Sequence, residues 1–251
     1  MFSLGIIESI IGFMTIVFAY FFVVTVSGYF RAWVAGKMGD ETPAYNGFLT
    51  FSPLKHTDPI GFVILILLGF GWGRYIPIMP FNISDPFRRL KLLIANFSDV
   101  FINLVIATVS LIGLIIYFGR HVLGLSMLMM LPDSLSSREL FGFAKSLNII
   151  RLNLETAYPT TSPFAISITL ITICVMYLSV LLAVLNFIIN GFGFIYMVLK
   201  EKYSLSGRYS LFFLLVAPML FICFFIGTLR IFVAYGITYV AAILAKLFGL
   251  Y

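Results

Sequence analysis

Residues 39–61 read GDETPAYNGFLTFSPLKHTDPIG, and residues 70–80 read FGWGRYIPIMP. Gly, Pro, Asp and Ser recur through both, so the chain turns repeatedly here instead of forming one long helix. Between them lies an apolar run, Ile60–Gly69, well short of the ~20 residues a helix needs to cross a bilayer. Asp58-Pro59 precedes it, and the Gly- and Pro-rich residues 69–80 follow it. Irregular backbone at membrane depth is tolerated only when buried in protein or lining a watery cavity. The pattern predicts a re-entrant hairpin, and the rest of the chain is ordered around it.

Composition sets the class. The chain has 251 residues, 61% hydrophobic and 10% charged, where soluble domains carry about 25% charged residues. Hydropathy predicts full spans at Leu4–Val26, Leu90–Phe118 and Phe164–Leu199, with Arg31 just past the first. The tail, Ser210–Tyr251, is long enough for two more, broken around Gly227–Arg230. The expected fold is an all-α polytopic membrane protein, one transmembrane domain over 1–251, with about five full spans and one re-entrant hairpin. Residues 119–163 form an extracytoplasmic connection or small cap, including the amphipathic stretch Glu139–Ile150. Met127–Met130, with that stretch, is read as lipid-facing packing or as an interfacial surface.

Charge decides sidedness. With Ile60–Gly69 re-entrant, eleven of the sixteen Lys and Arg fall on one side and five on the other; a full crossing divides them evenly. Basic residues concentrate on the cytoplasmic side, which favours the hairpin and an extracytoplasmic N-terminus. The formal charge of +6 is spread between apolar runs, so no nucleic-acid partner is expected. Residues 1–9 hold Glu8 and no Lys or Arg, so a cleavable signal peptide is not expected. Cys174 and Cys223 fall inside apolar runs, where cysteine acts as a small hydrophobe.

The stretch Gly39–Gly61, continued through Phe70-Gly71-Trp72 and Pro77–Pro80, resembles prokaryotic site-2 proteases, the intramembrane zinc metallopeptidases. The likeness runs over about Lys37–Arg89 and keeps Gly, Pro, Asp, His and Trp in order. It implies a site-2-protease-like transmembrane core in a prokaryotic cytoplasmic membrane. It also implies where the chemistry belongs. Family members hold zinc through an HExxH pair on the first core helix, whose Glu is the general base. Counted back from Gly39-Asp40, those positions are Ser27, Gly28 and Arg31, within Ser27-Gly28-Tyr29-Phe30-Arg31. None is a conventional zinc ligand or base, and guanidinium has no lone pair to offer. The family's later Asp ligand is also missing: from Asn186 its motif reads Asn-Phe-Ile-Ile-Asn-Gly-Phe-Gly-Phe, with Ile189 in the Pro position and Phe194 near the Asp. The middle motif corresponds to Ser98–Asn103, which keeps Asn103 but has Asp99 and Val100 for Gly and Pro. No zinc or other cofactor is expected. His56 and His121 are the two histidines, and their predicted placement on opposite sides prevents a shared ion.

The odd polar residues remain. Asp99 lies within an apolar run, where an ionisable side chain is costly. Either its helix starts late and leaves it at the interface or paired internally, or it pairs with Arg31 in the vestigial cleft. Asn103, Asn186 and Asn190 serve as packing contacts or as ligand-binding groups; the i, i+4 spacing puts Asn186 and Asn190 on one face. The candidate cleft set is therefore Arg31, Asp99, Asn103, Asn186 and Asn190. The expected function is that of an inactive homologue, binding or scaffolding another membrane protein or transmembrane helix in its vestigial groove. A divergent intramembrane metalloprotease is the alternative. A small-solute transporter or channel is a third, disfavoured by the absence of inverted repeats.

Overall fold

A computed structural model describes residues 2–68, 71–84, 86–118, 142–157, 159, 162–203, 232–233, 235–240, 242–244 and 246. Within these residues the chain is helical and holds no strand, only one isolated bridge. Three helices are long and apolar enough to cross a membrane: α1 (Phe2–Met38), α5 (Arg88–Phe118) and the long helix Pro163–Tyr203, named α7 below. The two spans expected in Ser210–Tyr251 fall mostly outside the described residues. Of that tail, Val233 and Ile237 are buried in the core of the long helices.

α1 is longer than its hydropathy predicts. No proline interrupts it, and Ala32, Val34 and Ala35 keep its inner face buried beyond Val26, so the helix runs on to Met38. Arg31 therefore lies inside the helix rather than past its end. Gly39 stops it with φ +107°, a conformation that L side chains resist. Gly39 and Asp40 N–H groups close the end on the Gly36 and Ala35 carbonyls at 3.1 and 2.9 Å. Asp40 then anchors the loops. Its carboxylate, fully buried, accepts from the Thr42 N–H, the Asn82 amide at 2.8 Å and the Met79 N–H at 2.6 Å.

Two single-turn helices follow, α2 (Thr42–Tyr45) and α3 (Pro53–His56), each with proline in its first turn. α4 (Pro59–Leu68) is capped by the Asp58 carboxylate, which accepts from the Ile60 and Gly61 N–H groups at 2.9 Å each. Ten residues rise about 15 Å, half of a ~30 Å hydrocarbon core. The chain then comes back to where it began: Thr57 bridges Gly73, and the Arg74 N–H donates to the His56 carbonyl at 2.7 Å. Glycine makes this return possible. A Cβ on Gly61 would stand 2.3 Å from the Trp72 carbonyl oxygen, and one on Gly71 equally close to that of Gly61. Tyr20 of α1 donates to the Trp72 carbonyl at 2.8 Å and ties the hairpin to the first span.

A 3-10 turn, Pro80–Asn82, leads into α5. The three long helices pack on one another; α7 is the most enclosed and α5 the most peripheral. α6 (Gly142–Ala157) covers part of the expected amphipathic stretch. Its buried stripe, Leu147, Ile150 and Leu154, joins the core against α1 and α7, as apolar residues at helical spacing should. Met127–Met130 lies outside the described residues.

Candidate functional site

The inner face of α1 carries Arg31, and α5 and α7 supply what it needs. The guanidinium Nη1 donates to Asp99 Oδ2 at 2.7 Å and to Asn190 Oδ1 at 2.9 Å, while Nη2 donates to Asn96 Oδ1 at 3.3 Å. Asn190 closes the circuit by donating its amide to Asp99 Oδ1 at 3.0 Å and to the Asn96 carbonyl at 2.7 Å. Asp99 Oδ1 also accepts from the Val100 N–H at 2.8 Å. The ion-paired side chains are only 5% and 7% exposed. The guanidinium carbon lies 5.7 Å from the centroid of the Tyr75 ring, on the returning hairpin. Of the two readings of Asp99, the structure shows the pair with Arg31, and the carboxylate is buried within the protein.

Other candidates fall elsewhere. Ser27 is buried one turn before Arg31 and donates to the Val24 carbonyl at 3.4 Å, a long bond. Asn103 is fully buried one turn beyond Asp99, and neither its Oδ1 nor its Nδ2 has a protein partner among the described residues. Asn186 is half-buried and stands one turn from Asn190, outside the network. Asn96 is the member that sequence reasoning missed. Its signal is spacing, three residues before Asp99 and so on the same face of α5.

Gly28 has a specific spatial role. His56, from α3, packs so closely over it that a Cβ there would meet Nδ1 at 2.2 Å. The imidazole Nε2 lies 2.8 Å from the Thr50 carbonyl, so Nε2 carries the proton and Nδ1 the lone pair. Burial pushes the His56 pKa below its ordinary value; the Thr50 contact opposes this and the Arg74 charge assists it. Beside it Tyr29 of α1 stacks on Phe51, with ring centroids 4.2 Å apart. The loop thus covers α1 at Gly28, the position that the sequence resemblance assigns to a general base.

A zinc ion does not fit these side chains. Ser27 is engaged with its own helix, Gly28 has no donor atom, and the guanidinium at Arg31 repels a cation. The nearest carboxylate, Asp99, is already committed to Arg31, Asn190 and Val100. Among the described residues no three His, Cys, Asp or Glu side chains converge.

Fold and site together define an integral membrane protein, all-helical where described, whose three spans are joined by a buried charged network. A segment of 98 residues is 36% identical to the Bacillus subtilis (strain 168) protein named "Putative zinc metalloprotease YwhC". That segment is 39% of this chain and 42% of the relative, so less than half of the relative's length is matched. The similarity is consistent with a site-2-protease-like family. No family model matches the chain, and no solved structure matches it.

Proposed function

We propose that this chain is a catalytically inactive, site-2-protease-like membrane protein that binds another membrane protein, receiving a transmembrane helix where the resemblance implies a vestigial substrate groove. One observation carries the proposal: Arg31, at a position where the resemblance implies a zinc-binding histidine, makes an ion pair and hydrogen bonds to α5 and α7. A metal would cross-link helices at that position; here a guanidinium does so, with a cationic charge that opposes metal binding. No zinc or other cofactor is part of the proposal. The lack of space above Gly28 points the same way, because a glutamate there requires His56 to move. The proposed topology has an extracytoplasmic N-terminus, a re-entrant hairpin at Pro59–Gly73 and about five full spans in a prokaryotic cytoplasmic membrane. The short α4 and the Thr57–Gly73 bridge support the hairpin.

A divergent intramembrane metalloprotease is the alternative, favoured by the name of the Bacillus relative. Two measurements on the full-length chain separate them. Zinc is quantified in protein purified without chelators, and a photo-crosslinking residue is placed at Phe187, a 60% exposed ring that packs against Phe97 at the seam of α5 and α7. Substoichiometric zinc with crosslinks to an intact membrane partner is expected. Stoichiometric zinc that disappears on changing Asp99 or His56, or crosslinks only to truncated helices, establishes the protease. An absence of any crosslinked partner removes the binding role.

A further inference from the structure

A second feature, independent of the Arg31 network, lies where the hairpin's return meets α5. Phe81 and Phe87 are 90% and 74% exposed, and Leu90, in the first turn of α5, is 55% exposed. Apolar rings this exposed beside the end of a membrane span match side chains that insert at the boundary between headgroups and acyl chains. They continue into the outward face of α5, where Leu93, Ile94 and Phe101 are also exposed. Phe87 holds φ +65°, a region that bulky residues rarely enter.

The cations of this corner are held in place. Arg88 donates from Nε to the Pro80 carbonyl at 3.1 Å, and its guanidinium carbon lies 5.8 Å from the Phe81 ring centroid. These contacts use Nε and one face of the plane, and orient the Nη pair that matches phosphate in bidentate fashion. Lys91, on the same helix face, donates to the Ser84 carbonyl at 3.1 Å. In sequence the corner carries Arg88, Arg89 and Lys91 against Asp85. The first turn of α5 has no acidic residue, so Arg88 and Lys91 lie by the positive end of the helix dipole, where a bound anion is favoured.

We propose that this corner is a binding site for an anionic phospholipid of the surrounding bilayer. Arg88 and Lys91 hold the phosphate, while Phe81, Phe87 and Leu90 enter the acyl region. Charge complementarity and continuity with the lipid-facing side of α5 select this occupant.

The test uses full-length protein, delipidated in detergent, with thermal unfolding followed as lipid is added. Phosphatidylglycerol is expected to raise the midpoint saturably, as any ligand selective for the folded state does. Phosphatidylcholine with the same acyl chains, and soluble glycerol phosphate, are expected to leave it unchanged. Arg88→Gln is expected to weaken the phosphatidylglycerol response about tenfold or more, and Arg88→Lys to weaken it less, since the charge stays but the fork is lost. Phe81→Ser keeps every cation and is expected to weaken the lipid response as well. Equal stabilisation by the two lipids overturns the proposal on the wild-type protein alone. An equal response to glycerol phosphate makes the corner an ion site and overturns the lipid assignment. A folded Arg88→Gln protein with an undiminished response overturns the role of Arg88.

Discussion

Asp99→Leu tests the central network most directly. The substitution leaves the Arg31 guanidinium at 5% side-chain exposure with two neutral acceptors, Asn190 and Asn96. Breaking a buried ion pair by removing one partner costs about 3–5 kcal/mol, whereas an average interhelical polar contact in a membrane is worth about 0.6 kcal/mol. The charge, the burial and the number of bonds put Arg31–Asp99 in the first category. Arg31→Met is expected to cost somewhat less than Asp99→Leu, because a stranded carboxylate can take up a proton and a stranded guanidinium cannot lose one. The double variant removes both charges and fills the space with apolar atoms, which is often neutral or stabilising. It should therefore lie within about 2 kcal/mol of wild type, far from the sum of its parents. Reversible unfolding in mixed micelles, or steric trapping in bicelles, gives the cycle. Single variants costing under about 1 kcal/mol, or a double variant as unstable as the sum, refute the view that this pair is a coupled cross-link.

Three further outcomes follow from local geometry. Gly28→Ala places a methyl against His56, and such overpacking is expected to cost about 1–3 kcal/mol. Combination with His56→Ala should make the pair less destabilising than the sum, as thermal unfolding in detergent can show. Asn103→Leu replaces an amide with no partner among the described residues by an apolar side chain of similar size, so stability should stay level or rise by about 1 kcal/mol; a loss of stability shows that the amide has a partner, such as another segment of the chain or a buried water. The pKa of His56 is lowered on folding, so below about pH 6.5 the unfolded chain binds more protons than the folded one. Stability should be constant above that pH and fall as pH drops through the folded-state value, by at most about 1.4 kcal/mol per unit. This loss should be absent in His56→Gln. The Asp40 pKa is also below its ordinary value: burial opposes ionisation, and hydrogen bonds from Thr42, Asn82 and Met79 outweigh it. Its contribution is lost only below about pH 4, outside the His56 window.

Much of the membrane fold was legible in the chain because its signals are local. Apolar length marks α1, α5 and α7, and the turn residues around Ile60–Gly69 mark a run too short to cross. The same logic misplaced the end of the first span. Hydropathy reads Arg31 as a boundary, while the helix runs seven residues further, to Met38, because distant residues satisfy the charge. Those partners lie 65, 68 and 159 positions along the chain, and no periodicity within α1 names them.

Equal spacing did not ensure equal roles. Asn186 and Asn190 sit one turn apart on one face, yet only Asn190 reaches Arg31; Asn103 is buried without joining the network at all. Gly28 is a further case. In the chain it is an absent side chain, while in the fold it is the space His56 fills. The sequence by itself determined that this is a membrane protein and that Ser27–Arg31 lacks the donors for a metal, since both depend on residue chemistry alone. Only the tertiary structure decided what stands there instead, because pairing a buried charge requires three helices to bring their polar groups to one depth.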